Sequence, residues 1–117
     1  GDCLYLGKQV KFYCAAIILS TPGTGGSVIW EYFSGTDWVE FTPYSGGYNL
    51  DSADELVYLW QDAASVPSGW QIGAVNNIPA FWVRARVTDG FSNNPIGTQI
   101  LAATKLDDMS LAHEEAL

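Results

Sequence analysis

A chain of 117 residues supports one domain and is long enough to bury a core without disulfide or metal staples. Hydrophobic residues make up 48% of it, which excludes a disordered segment, and aromatics reach 14%, enough for a thick core or an aromatic binding surface. Thirteen acids against five bases give a net charge of −8, which argues against nucleic acid and an anionic membrane as partners, because both call for a basic surface.

In chain order, seven strands are predicted, over 3–6, 10–19, 27–33, 37–41, 55–61, 80–88 and 98–104. The second contains the longest apolar run, Ala15 to Leu19, far short of the roughly 20 residues of a membrane helix. Cys3 and Cys14 lie in the first two strands. Their spacing leaves open a cross-strand disulfide or two free thiols, with buried free thiols the plainer reading. Thr21 to Gly26 reads as a flexible loop. It lacks the Lys-Ser/Thr ending and following helix of a phosphate loop.

The segment VIWEYFSGTDWVEF, Val28 to Phe41, alternates β-branched and aromatic residues around Ser34-Gly35-Thr36, so it predicts a hairpin. Both faces of its first strand are apolar, which predicts a central strand covered on both sides. In PAFWVRARVTDG, Pro79 to Gly90, the period of two puts Phe81, Val83, Ala85 and Val87 on a core face. Trp82, Arg84, Arg86 and Thr88 share the other face, with Glu31 and Glu40 as candidate ionic partners for the arginines across the sheet. Short strands punctuated by Gly, Pro and Asn predict an all-β antiparallel sandwich over 1–105. The acidic segment 106–117 carries no strand pattern and reads as a short helix or an extended arm able to dock on a neighbouring subunit.

Reaction chemistry is sparse. The single histidine, His113, lies in that arm, so neither a nucleophile–His device nor a His-based metal site is predicted. Glu31, Glu40, Asp51, Asp54, Glu55 and Asp62 supply carboxylates in number, but a glycosidase needs two of them facing across a cleft. The run Asp51 to Glu55 does not have EF-hand spacing and reads as a solvated acidic turn. No catalytic residue, cofactor or metal is therefore expected. Trp30, Trp60 and Trp82 sit mid-strand and are expected to pack. Trp38 and Trp70 sit beside turns and are expected to be partly exposed, so with Tyr44 they form a candidate glycan-stacking set.

Several blocks resemble, in order, a jelly-roll-like β-sandwich module of tailed-phage virion proteins and related contractile-injection baseplates. They are GDCLYLG at residues 1–7, KFYCAAIIL at 11–19, WEYFSGTDW at 30–38, PSGW at 67–70, FWVRARV at 81–87 and PIGTQI at 95–100. The resemblance implies a jelly-roll-like fold of about seven or eight strands. It implies a structural, capsid-decoration or adhesive role on a virion or another extracellular assembly, through self-association or contact with other assembly proteins. It carries over no catalytic residues. Trp30, Trp38, Trp70, Trp82, Arg84 and Arg86 are then scaffold positions. The alternative from another class is a carbohydrate-binding module that uses its exposed aromatics.

Overall fold

The computed structural model describes residues 2–103 and 109–111, with the backbone alone described at 98, 99 and 109–111. The described strands are β1 (Cys3–Lys8), β2 (Cys14–Thr21), β3 (Ser27–Phe33), β4 (Trp38–Phe41), β5 (Asp54–Tyr58), β6 (Ile72–Val75), β7 (Ile78–Asp89), β8 (Ile96–Ala103) and β9 (Met109–Leu111). They form two antiparallel sheets. Sheet A has the order β1-β7-β3-β4, with β6 also paired to β7, and sheet B has the order β5-β2-β8-β9. This is the antiparallel sandwich that the alternation predicts. The chain crosses repeatedly between the two sheets, and its nine described strands exceed the seven or eight that the resemblance implies. The pairings β1–β7 and β2–β8 are this chain's own order.

The core lies between the sheets. Sheet A supplies Leu4, Leu6, Trp30, Val83 and Ala85, and sheet B supplies Ala15, Ile17, Leu19, Val57, Ile100 and Ala102. Period-two alternation puts these residues on the inner faces. Of the predicted inward set of β7, Val83 and Ala85 lie in the core and Phe81 packs against the same cluster, while Val87, near the strand's end, is only half-buried. The β3–β4 hairpin also forms as predicted, closed by the Ser34 amide donating to the Asp37 carbonyl at 2.8 Å, with Gly35 at φ +100°. In sheet A, β3 lies between β7 and β4 and is central in its sheet as predicted, with Trp30 and Glu31, one on each face, both buried.

Some elements differ from the sequence reading. The second strand starts at Cys14, because the chain must first leave sheet A. In the connection Phe12 enters the core and Lys11 donates to the Pro67 carbonyl at 2.9 Å. β6 was not among the predicted strands. Asn76 and Asn77, both at positive φ (49° and 65°), form a two-residue turn joining it to β7, whose start moves to Ile78. Pro79 is tolerated within β7 because it falls opposite Ala74, in a pair that exchanges no ladder hydrogen bonds. The Thr21–Gly26 loop is tied down at two points. The Gly23 amide donates to Leu50 O at 2.8 Å, and Thr24 pairs with Asn93. Within the predicted arm, Met109–Leu111 pairs with β8, while residues 106–108 and 112–117 lie outside the described residues.

The cysteines sit on different sheets and are free thiols, Cys14 buried and Cys3 half-buried. Burial pushes the Cys14 thiol above its ordinary value, which keeps it protonated and inert. A thiol alkylating agent is therefore expected to label Cys3 in the native protein and Cys14 only after denaturation. Mass spectrometry of the two peptides checks this. Equal labelling of both in the folded chain would contradict the placement.

Candidate functional site

The outer face of sheet A gathers most of the residues singled out from sequence. Register sets Tyr5 opposite Arg84, Arg84 opposite Glu31, and Glu31 opposite Glu40, in one row across four strands. The next rows carry Cys3, Arg86 and Ile29 on one side, and Gly7, Trp82, Phe33 and Trp38 on the other. Glu31 is only 6% exposed. Its Oε1 accepts from Arg84 Nε at 2.8 Å and from Arg86 Nε at 3.1 Å. Burial alone would raise the Glu31 carboxyl. The hydrogen bonds from Arg86 and Arg84 and their positive charges outweigh it and hold the group below its ordinary range. Glu31 is therefore a locked carboxylate, unsuited to exchange protons near neutral pH. Of the two predicted acidic partners, Glu31 makes both ion pairs, and Glu40 remains exposed at the rim.

Aromatics enclose that ion pair. The Arg84 guanidinium lies 4.2 Å from the Trp38 ring centroid, and Phe33 packs against Trp38 at 5.3 Å. Tyr5 meets Trp38 at 5.9 Å and Trp82 edge-on at 6.3 Å. Trp82 is fully buried although it faces outward, with Tyr5 and Gly7 against its ring and its indole N–H donating to Gly73 O and Ile78 O within the β6–β7 hairpin. Two glycines make room for this layer. A Cβ on Gly7 would lie 2.5 Å from the Trp82 ring, and one on Gly73 would meet Phe33. Alongside lies a shallow groove of about 320 Å³ lined by Gly7, Lys8, Gln9, Val10, Ile78 and Ala80, with Trp82 at its floor.

Trp70 lies elsewhere. It was expected to be partly exposed, but it is 0% exposed. The turn before it, Pro67 to Gly69, drops its ring into the sandwich. There its N–H donates to Trp82 O at 2.9 Å, and it packs on Phe12 at 5.0 Å, Trp60 at 4.9 Å and Phe81 at 5.7 Å. A position beside a turn says nothing about which way the side chain points. Tyr44 is 63% exposed on the turn after β4 and forms no ring pair with Trp38 or Trp70 among the described residues. The three candidate stacking residues are thus not brought together. Trp30 and Trp82 are buried as expected, and Trp60 is half-buried, stacked on Phe41 at 4.7 Å.

The described bases are all engaged within the fold. Lys8 donates to Ala102 O, Lys11 donates to Pro67 O and lies over Phe81, and the two arginines hold Glu31. Asp2, Asp37, Glu40, Asp51, Asp54, Asp62 and Asp89 remain exposed, so the described surface is anionic. Among the described residues no group of three His, Cys, Asp or Glu side chains is placed to hold a metal.

A feature that sequence reasoning missed is the outer face of sheet B. Period two turns Cys14, Ala16 and Ile18 of β2 away from the core, together with Leu56 and Tyr58 of β5 and Leu101 of β8. Leu56, Ala16 and Leu101 stand in one row. Leu56 is 41% exposed, and Ala16, Ile18, Tyr58 and Leu101 are half-buried. The signal was present as the unbroken run Ala15 to Leu19, which implies apolar residues on both faces of one strand. Comparison with protein-family models, with curated proteins and with solved structures finds no match for this chain.

Proposed function

We propose that this chain is a non-enzymatic structural module that works by non-covalent association with other subunits of an extracellular or virion-type assembly. The observation that supports this most directly is the apolar row Leu56, Ala16 and Leu101 on the outer face of sheet B, with Ile18 beside it and Asp54 at its border. A sheet with one solvated face alternates apolar-in and polar-out, yet here Ala16, Ile18, Leu56 and Leu101 all point outward. Contiguous apolar surface of this kind marks interaction sites. The anionic remainder keeps unassembled subunits apart and soluble.

Light scattering of the intact chain over a concentration series tests the reading. A defined oligomer is expected, and Ala16→Lys, which puts a charge in the middle of the row without touching the core, is expected to shift it to monomer with an unchanged far-ultraviolet spectrum. A chain that is monomeric at every concentration would remove association through this face.

A further inference from the structure

Among the described residues the β5 edge of sheet B is open over a short stretch. Hydrogen bonding decides which groups of β5 face outward. Leu59 N–H donates to Tyr13 O, and Leu19 N–H donates to Ala53 O. The register Ala15↔Val57 and Ile17↔Glu55 continues that set, so residues 53, 55, 57 and 59 spend their backbone groups on β2. Asp54, Leu56 and Tyr58 therefore point theirs away from the sheet. Tyr58 is closed off, since its N–H donates to Ser45 Oγ at 3.1 Å and its carbonyl accepts from the Ser45 amide at 3.1 Å. Among the described residues nothing pairs with the backbone groups of Asp54 or Leu56. Both residues are exposed. An unpaired edge of this kind is a template for another strand.

The occupant follows from the charges. A second copy of the chain can use both open residues of both partners in one antiparallel register, with Asp54 opposite Leu56 and Glu55 opposite Glu55. That register puts two carboxylates across a non-hydrogen-bonded pair, where side chains approach most closely. Asp51 and Asp54 are exposed nearby, and β2, the strand paired with β5, carries no base. The edge thus repels its own copy and favours a cationic strand.

We infer that the Asp54–Leu56 edge of β5 accepts an extended basic segment of another polypeptide as an added antiparallel strand. Its recognition element is an apolar residue followed by two basic ones. The apolar residue pairs with Leu56 through both backbone groups, the first basic residue lies opposite Glu55, and the second pairs with Asp54. Ser45 ends the added strand by occupying Tyr58. This rests on the association reading and names the chemistry of one partner.

The test uses the full chain and a fluorescent peptide with a central Val-Lys-Lys flanked by threonines. Binding is read by anisotropy, and the Leu56 amide by hydrogen exchange. Saturable binding that weakens with salt and slows Leu56 exchange is expected. N-methylation of the peptide valine removes the donor to Leu56 and is expected to weaken binding about tenfold, whereas N-methylation of the first lysine, whose N–H points away, leaves it unchanged. Leu56→Pro removes the outward N–H without touching the β2 ladder and should weaken binding by the same roughly tenfold, with the fold intact. Equal binding by both methylated peptides, or by Leu56→Pro and the parent, would overturn the proposal. If Ala16→Lys dissolves an oligomer while the peptide ignores the edge, association stands and the edge proposal falls. If a permanently monomeric chain binds the peptide as described, the edge proposal stands without the sheet face.

Discussion

Trp70→Ala is expected to destabilise the fold by about 3–5 kcal/mol, the range for truncating a buried aromatic. The ring is fully enclosed, touches Phe12, Trp60 and Phe81, and ties the two ends of an aromatic cluster to the β7 backbone through Trp82 O. Small domains have only about 5–15 kcal/mol to lose, so a large part of the folding free energy should go. The urea midpoint should drop by roughly 1–3 M, given the usual slope for a chain of this size. Trp70→Phe keeps most of the packing but loses the indole donor, and should cost about 1–2 kcal/mol. Trp38→Ala, at a half-buried position on the outer face, should cost less than Trp70→Ala. Equal midpoints for Trp70→Ala and the parent would mean that the ring does not fill the core. That outcome would also restore Trp70 as a surface residue.

Glu31→Gln is the second large effect, and it carries a pH signature. The side chain keeps its size and an acceptor but loses the charge that Arg84 and Arg86 surround. Removing one member of a buried pair leaves the partner desolvated and uncompensated. The Glu31–Arg84 pair retains some solvent access at the arginine, so a loss of roughly 1–3 kcal/mol near neutral pH is expected, below the full buried-pair range. The carboxyl is held below its ordinary value of 4.5, so the folded state favours the ionised form. This contribution is complete above the ordinary carboxylate pKa and disappears as pH falls through the lower folded value. Unfolding midpoints of parent and Glu31→Gln should therefore differ at neutral pH and converge in acid. A constant gap at all pH values would show that the charge is not what Glu31 contributes.

The same residue shows how much of the outer face of sheet A was legible. The alternation of β7 already places Arg84 and Arg86 on one face if Val83 and Ala85 are inside, whereas β3, apolar on both faces, leaves the side of Glu31 to the pairing. Which acid pairs with the arginines was not legible. Glu31 and Glu40 are equivalent in the pattern, and the choice depends on β3 lying next to β7 with β4 beyond it. Strand order is a long-range property, and local periodicity contains no term for it.

The sequence by itself determined the antiparallel sandwich, the β3–β4 hairpin and the inward set of β7. Each of these depends on alternation and turn chemistry within about a dozen residues. The Asn76-Asn77 hairpin and β6 lie outside the predicted elements, although paired asparagines tolerate the left-handed backbone that a two-residue hairpin needs. Tertiary structure alone decided the rest. It sent Trp70 inward to complete the aromatic cluster. It kept Cys3 and Cys14 on separate sheets. Among the described residues it left the backbone of Asp54 and Leu56 unpaired while Ser45 closed Tyr58. The physical reason is common to all three. Burial, pairing and edge position are fixed by neighbours far away in the chain, whereas the alternation that sequence displays gives only the two faces of each strand and never says what lies against them.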